Sequence, residues 1–408
     1  TAYSYLSYTD YTKCFQGTFD GNGKTITGMT ISSSSVEYIG LFGYLYGATV
    51  RNLTMADEEG ANNIQLASIT GGANTYPLGS IAGRVENGKI INCHNRCAVS
   101  FSVSDKSGNV GGIAGIIDKN SVVSACSNSG AIIVDGSTVM GGGIVGVSAK
   151  SSIVSCFNTG DVSATGTTYT AYAGGIVGDG DTNGDSSNPS HISHCYSTGN
   201  MTANATQSSS ASGGIIGVAQ YVVIESCFAT GAVSAGSNSD SRIAAAGGIV
   251  GQAFAGNINI TIKNCLALTT AGVKALGNTS DKQAGRIVGS DPPTNKVTLL
   301  DNYASTMIQL TIGDNTPAVP TDNIGSDKAN GADTYLDDVA AEIAAWAGPE
   351  NTQAFTAIGT AENGLLPQLK AIAGYGADGL PTAYASTIIP GQSGLSSASY
   401  LRLSLIHI

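Results

Sequence analysis

The sequence is poor in charge. Asp, Glu, Lys and Arg make up 12% of it, about half the usual share. The balance is acidic, with a formal net charge of −11. Nucleic-acid binding needs a basic face and a membrane-surface patch needs clustered Lys and Arg, so neither partner is expected. No run of 18 apolar residues exists, and no membrane span is expected in this stretch. There are only four histidines, which leaves general acid–base chemistry little to draw on. The zinc-peptidase signature His-Glu-x-x-His occurs nowhere.

What the chain has in place of charge is Gly, Ser, Thr and Asn, and a phrase it repeats. Gly142-Gly-Ile-Val-Gly146 is followed by Ile153-Val-Ser-Cys156 and Gly160. The phrase returns at Gly174–Gly178 with Ile192 and Cys195, at Gly213–Gly217 with Ile224 and Cys227, and at Gly247–Gly251 with Ile262 and Cys265. Earlier copies are Gly111–Gly115 with Val123 and Cys126, and Gly79–Gly83 with Ile90 and Cys93. The cysteines at 93, 126, 156, 195, 227 and 265 step by 33, 30, 39, 32 and 38 residues. Such periods are the mark of stacked-repeat architectures, with a constant core and loops of variable length.

The apolar runs inside each copy are short, β-branched and bounded by turn residues, and no copy carries a helical stripe. Three strands per unit imply a parallel β-helix with three faces, its coils about 4.8 Å apart. Between the aliphatic residue and the cysteine three positions later, strict alternation would place the two on opposite faces. A bend between them is expected, because both residue types favour burial. The glycines four after the cysteines (130, 160, 199, 231) are expected to mark corners with positive φ. The six cysteines themselves read as a buried column of free thiols.

Near the N-terminus, Asp20-Gly-Asn-Gly23 reads as a tight turn between two strands. The phrases Gly17-Thr-Phe-Asp-Gly-Asn-Gly23 and Gly40-Leu-Phe-Gly43, with the later Gly-Gly-Ile-Val-Gly copies, resemble the GLUG-repeat family over residues 15–312. The resemblance implies a repeat region of bacterial surface or secreted proteins, some of which carry the repeats beside a peptidase that cleaves immunoglobulin A. No part of this chain matches that peptidase.

The expected fold is therefore all-β, a right-handed parallel β-helix (β-solenoid) of roughly nine coils with a small helix-containing C-terminal cap. Residues 1–14 read as a truncated N-terminal segment, 15–312 as the GLUG-type β-helix, 313–372 as the cap and 373–408 as linker and tail. Residues 56–78 read as an acidic insertion. Asp333 to Ala347 carries the one amphipathic helical pattern, with Asp333 or Thr334 as its cap and Leu336, Val339, Ile343 and Trp346 on one face. Leu401–Ile408 is apolar and unlike the rest; it resembles translated adaptor sequence and is set apart from the fold.

Candidate chemistry is sparse. Gly141–Gly146 fits Gly-x-Gly-x-x-Gly, but a dinucleotide site needs a helix directly after it. Asp179, Asp181, Asn183 and Asp185 place oxygens at alternate positions with Gly184 at the sixth, like the first half of a calcium loop. The twelfth position is Ser190 instead of the bidentate Glu. A solvated acidic loop and weak calcium binding both remain open, and no other cofactor is expected. His191 and His194 adjoin this loop as ordinary surface or pocket histidines. Asp161, Glu225 and Lys263 read as lying at different repeat positions, so no carboxylate pair for glycoside cleavage is assigned, and fold alone licenses no activity. No catalytic residue is assigned. The chain is expected to be a non-enzymatic adhesin or rigid stalk, extracellular or on the bacterial cell surface and part of a larger multidomain chain. Its partner would be a host surface glycan or protein. The alternatives are an accessory region of a larger surface protease and a polysaccharide-active β-helix enzyme. Ligand-binding loops are expected in the stretched gaps 56–78, 179–191, 203–212, 235–246 and 270–284, with the last three along one edge and 179–191 at another corner.

Overall fold

The computed structural model describes residues 11–31, 37–56, 63–66, 73–180, 188–254, 259–269, 271–290, 296–317 and 323–334, and the strand pair Phe355–Thr356 and Gln368–Leu369. Almost all of these residues belong to one parallel β-solenoid. Each turn of the chain contributes to four sheets instead of the expected three. In one turn, Ala114–Asp118 lies in sheet A, Val122–Ser124 and Ser127–Asn128 in sheet B, Ile132–Gly136 in sheet C and Val139–Gly142 in sheet D. The fourth sheet exists because the Gly-Gly-Ile phrase turns the chain back on itself, so sheets D and A pack face to face. Sheet A has seven strands, and single bridges Phe15–Leu45 and Val250–Val288 extend it at its two ends. Those nine levels span an axis of about 38 Å at the usual interstrand spacing.

The main core lies inside sheets A and B and contains every cysteine of the column, Ile90 to Ile262 of the aliphatic column, and the phrase residues Ile113, Ile144, Ile176, Ile215 and Ile249. A second cluster fills the space between sheets C and D, around Phe101, Val134, Val139 and Met201. Neither cluster is closed by one turn alone, so stability comes from stacking.

The expected bend in sheet B is present. The residue before each cysteine adopts positive φ: Asn92 (51°), Ala125 (54°), Ser155 (54°), His194 (55°), Ser226 (52°) and Asn264 (53°). This kink turns the aliphatic residue and the cysteine onto one face, and Ile153 and Cys156 are both fully buried. All six thiols of the column are free and buried. The kink leaves backbone N–H groups out of the ladder, and sulfur receives them. The N–H groups of Cys93, Cys126 and Cys156 donate to Sγ of Cys126, Cys156 and Cys195, each at 3.4 Å. Each thiol donates in turn to carbonyls, as Cys126 does to Ser124 O at 3.2 Å.

Gly130, Gly160, Gly199 and Gly231 do not have positive φ, contrary to expectation. They are glycine because of crowding between turns. A β-carbon on Gly160 would lie 2.1 Å from Gly130 O, and one on Gly199 would lie 2.0 Å from Gly160 O. Beside them runs an asparagine ladder. Nδ2 of Asn95 donates to Oδ1 of Asn128 at 2.7 Å, and Nδ2 of Asn128 to Oδ1 of Asn158 at 2.8 Å. The glycines of the repeated phrase answer to close packing as well. A β-carbon on Gly142 would lie 1.9 Å from Val145 O, so sheets D and A approach as closely as bare backbone allows.

Other expectations need correction. Asp20–Gly23 is not a hairpin turn: Thr18–Thr27 is one strand, paired in parallel with Thr49–Ala56 and irregular between Asp20 and Lys24. Residues 56–78 are more than an insertion, since Asn63–Leu66 and Thr75–Gly79 form the edge strands of sheets C and D. Asp333 and Thr334 do not start a helix. They belong to Ala332–Thr334, a strand that extends sheet B beyond Tyr303–Ser305. The remainder of the expected helix, and the tail 373–408, lie outside the described residues. At the last full turn Arg286 replaces glycine and is buried. Its Nε donates to Asn330 O at 3.0 Å, and its Nη2 pairs with Asp333 Oδ1 at 2.8 Å. The arginine thereby ties the closing segment onto the final turn.

Candidate functional site

The face of sheet A turned away from the main core, which packs on sheet D through Ile116, Val147 and Met140, carries a dense group of aromatic and charged side chains at its N-terminal end. Leu45, Val85 and Ile117 point into the core, so their neighbours point out. Tyr44, Arg84 and Ile116 form one outward column, and Tyr46, Glu86 and Asp118 another. Glu86 is the centre and is only 2% exposed. Its Oε2 accepts from the Tyr44 hydroxyl at 2.5 Å, and its Oε1 from Lys119 Nζ at 2.6 Å and from the Tyr11 hydroxyl at 3.3 Å. Arg84 Nη2 lies 3.7 Å from Glu86 Oε2 and 3.2 Å from Asp118 Oδ2. The Arg84 guanidinium also sits 5.7 Å from the Tyr44 ring centroid, within cation–π range. Tyr11 stacks on Tyr46 with centroids 3.8 Å apart and planes 18° apart, and Tyr38 leans on Tyr44 at 5.2 Å.

Burial works to raise the Glu86 carboxyl, but the Lys119 and Tyr44 hydrogen bonds and the Lys119 and Arg84 charges outweigh it and hold the group below the ordinary carboxylate range. Burial and the hydrogen bond to Glu86 push the Tyr44 phenol well up. Glu86 is therefore an ionised acceptor and Tyr44 a neutral donor. Such a set has the chemistry to hold a hydroxyl-bearing group, as it holds the Tyr11 hydroxyl.

The predicted site residues do not gather. Asp179 is no loop residue: it lies in the sheet A strand Val177–Gly180, buried, in register between Val147 and Val218. Asp181, Asn183 and Asp185 lie outside the described residues. Among the described residues, no three His, Cys, Asp or Glu side chains stand close enough to hold a metal. His191 is exposed in a strand and His194 occupies the kink before Cys195. Glu225 and Lys263 share one repeat position after all, both two before a cysteine. They are paired in register, and their side chains meet at 2.9 Å.

A second surface is the corner between sheets C and D. The connections after Met201–Ala205, Val233–Ser237 and Val273–Gly277 follow one another there. Asn238 N–H donates to Ala205 O at 3.0 Å, Ser237 Oγ to Ser208 O at 2.7 Å and Ser280 Oγ to Asp240 O at 3.1 Å. These bonds join successive loops into a ridge of hydroxyls and amides. The strand Val177–Gly180 ends at the corner between sheets A and B, and residues 181–187 lie outside the described residues. On sheet C itself Ser163, Thr202 and Ser234 form an outward column.

The comparisons with known proteins are few. No family model matches the chain. Halomucin, from Haloquadratum walsbyi, is 34% identical over 120 residues. That stretch is 29% of this chain, and the chain spans about 1% of Halomucin. A solved structure from Bacteroides ovatus, described as "a putative immunoglobulin A1 protease", is 21% identical, with a TM-score of 0.43 over 64% of this chain and 83% of that one.

Sequence reasoning missed the Glu86 cluster, although a signal was there. With Gly43, Gly83 and Gly115 aligned, the first and third following positions read Tyr-Tyr, Arg-Glu and Ile-Asp, whereas after Gly146 they read Val-Ala. Polar and aromatic residues also return there in later copies, at Asp179, Asp181, Gln220, Gln252 and Phe254, so the signal in the early turns is the pairing of Arg84 and Glu86 with tyrosines and Asp118 in the adjacent copies.

Proposed function

We propose that this chain is a non-enzymatic repeat domain of an extracellular bacterial surface protein, a GLUG-type solenoid that serves as an adhesin or rigid stalk within a longer chain. The observation that carries the reading is the unbroken parallel ladder of nine levels, with its loops gathered into a hydroxyl- and amide-rich ridge at one corner. A rod with a repeated polar edge holds its shape under load and offers many equivalent weak contacts, which add through multivalency. The likeness to a protein named as a mucin supports the extracellular assignment. The winding is taken as right-handed, since parallel crossover connections are so in about 98% of cases. The segment after 313 is taken as a cap, supported by the bonds from Arg286 to Asn330 and Asp333.

The test is to shorten the connections 206–209, 238–242 and 278–280 to the length of 137–138 and to measure binding to arrayed glycans and host-surface proteins. Folding is expected to survive, because the stacked core is untouched, and binding is expected to fall. Unchanged binding by a folded variant removes the ridge as the functional surface.

A further inference from the structure

We propose that the face formed by Tyr46, Glu86, Arg84 and Lys119 is a binding site for a neutral saccharide, and that Tyr11 occupies it as a built-in latch. The proposal deepens the adhesin reading and rests on it.

Tyr11 belongs to a single turn of 3-10 helix, Tyr11–Lys13, ahead of the first bridge at Phe15 and outside every sheet. Its ring covers the Tyr46 face at 3.8 Å and its hydroxyl reaches Glu86 Oε1 at 3.3 Å, longer than the 2.5 Å bond from Tyr44. A flat ring with one hydroxyl thus sits where the solenoid offers an aromatic face and a carboxylate. A pyranose presents the same two features, a flat C–H face and hydroxyl donors. It adds acceptors that a phenol lacks. The site has unused donors for them: Arg84 Nε is buried and has no partner among the described residues, and the Lys119 side chain is half exposed. A tyrosine from a partner protein would only repeat what Tyr11 already supplies. Two carboxylates, Glu86 and Asp118, balance two cations, Arg84 and Lys119, so the site has no net charge to favour an acidic ligand. A few placed polar groups beside an aromatic wall suit a small polar ligand.

The experiment is affinity electrophoresis of the full chain through gels containing dextran, yeast mannan or soluble chitin oligomers, with alginate as the acidic control. The ridge loops stay intact, so failure here is separable from failure of the ridge. Tyr11→Ala is expected to raise retention on at least one neutral polymer about tenfold, the gain when a latch that shuts the site nine-tenths of the time is removed. The gain is expected to vanish in Tyr11→Ala/Tyr46→Ala and in Tyr11→Ala/Glu86→Gln. Equal retention of parent and Tyr11→Ala on every neutral polymer overturns the proposal, as does a gain on alginate alone or one that survives Tyr46→Ala. If Tyr11→Ala loses the β-sheet circular dichroism signal, Tyr11→Phe decides. It keeps the ring but removes the hydroxyl bond to Glu86 Oε1 that holds the latch shut, so retention must rise; no rise overturns the latch.

Discussion

The backbone N–H of Cys265 donates to Oδ1 of Asn302 at 3.1 Å. Three turns earlier, the N–H of Cys156 donates to Sγ of Cys195 at 3.4 Å. Asn302 therefore takes over, at the last turn, the acceptor role that sulfur plays inside the rod. It also donates from Nδ2 to Ile262 O at 2.8 Å, as the thiols donate to carbonyls. The cysteine column is thus more than a filler of small apolar volume. It satisfies the donors that each left-handed kink removes from the ladder.

This role predicts the cost of losing a sulfur. Cys156→Val keeps an apolar side chain of similar size but leaves the Cys126 N–H without its acceptor. The loss is expected to be about 1–3 kcal/mol, read as a lowered midpoint in urea unfolding. Rapid labelling of the native protein should modify Cys14 alone, since the other seven thiols are buried. Labelling at the column without unfolding refutes the buried-thiol account.

The same column sets an alkaline limit. Burial pushes the thiols of Cys195, Cys227 and Cys265 well up. Above the unfolded thiol pKa of about 8.5, the unfolded chain releases these protons while the folded chain keeps them. Stability therefore falls as pH rises past about 8.5, with a limiting slope of about 1.4 kcal/mol per pH unit for each thiol. Replacing the three by valine should flatten the slope measured by urea midpoints between pH 8 and 10, even if the neutral-pH stability drops.

Glu86 acts in the opposite direction. Its folded carboxyl lies below the ordinary range, so its contribution is present above the unfolded value of about 4.3 and is lost as pH falls through the folded one. Glu86→Gln is expected to lower stability at pH 7, by about 1–3 kcal/mol for the broken charged hydrogen bonds. It should leave a shallower decline below about pH 4. A mutant whose acid decline matches the parent shows that other carboxylates set that limb.

Two kinds of glycine should respond differently to alanine. At Gly199 a β-carbon would strike Gly160 O, and Gly199→Ala is expected to cost about 3 kcal/mol or more through forced separation of two turns. At Gly47 φ is +60° and nothing lies within 4 Å, so Gly47→Ala should cost about 1–2 kcal/mol from backbone strain alone. Thermal melts of the two variants test the ranking. A milder effect at Gly199 contradicts the crowding argument.

Arg286 should hold the end of the rod. Its removal in Arg286→Met leaves the carbonyl of Asn330 without its donor and that of Gly331 with only the Gly325 N–H. Proteolysis within 323–334 is expected to accelerate while the central turns stay protected. Arg286→Lys should not restore protection, because a point charge cannot bridge Asn330 O and Asp333 together as the planar guanidinium does. Equal cleavage rates in parent and Arg286→Met would remove the clasp.

By itself the sequence determined the repeating unit, its strand character, the parallel stacking and the buried cysteine column. These follow from period, β-branched runs and apolar positions, all local properties of the chain. The repeat departs from its own pattern at Arg286 and Asn302 in the last turn. Only the tertiary structure decided the number of faces, because the turn-back at Gly142–Gly146 depends on how closely two sheets can approach. Only stacking decided why Gly160 is glycine, since the atom it would strike belongs to the previous turn. Asp333 and Thr334 carry helix-capping residue types, yet the open edge at Tyr303–Ser305 took them as a strand. The Glu86 cluster joins residues 11, 44, 46, 84, 86, 118 and 119 from successive turns. Register brings those turns together, and a sequence read one copy at a time does not show which outward side chains become neighbours.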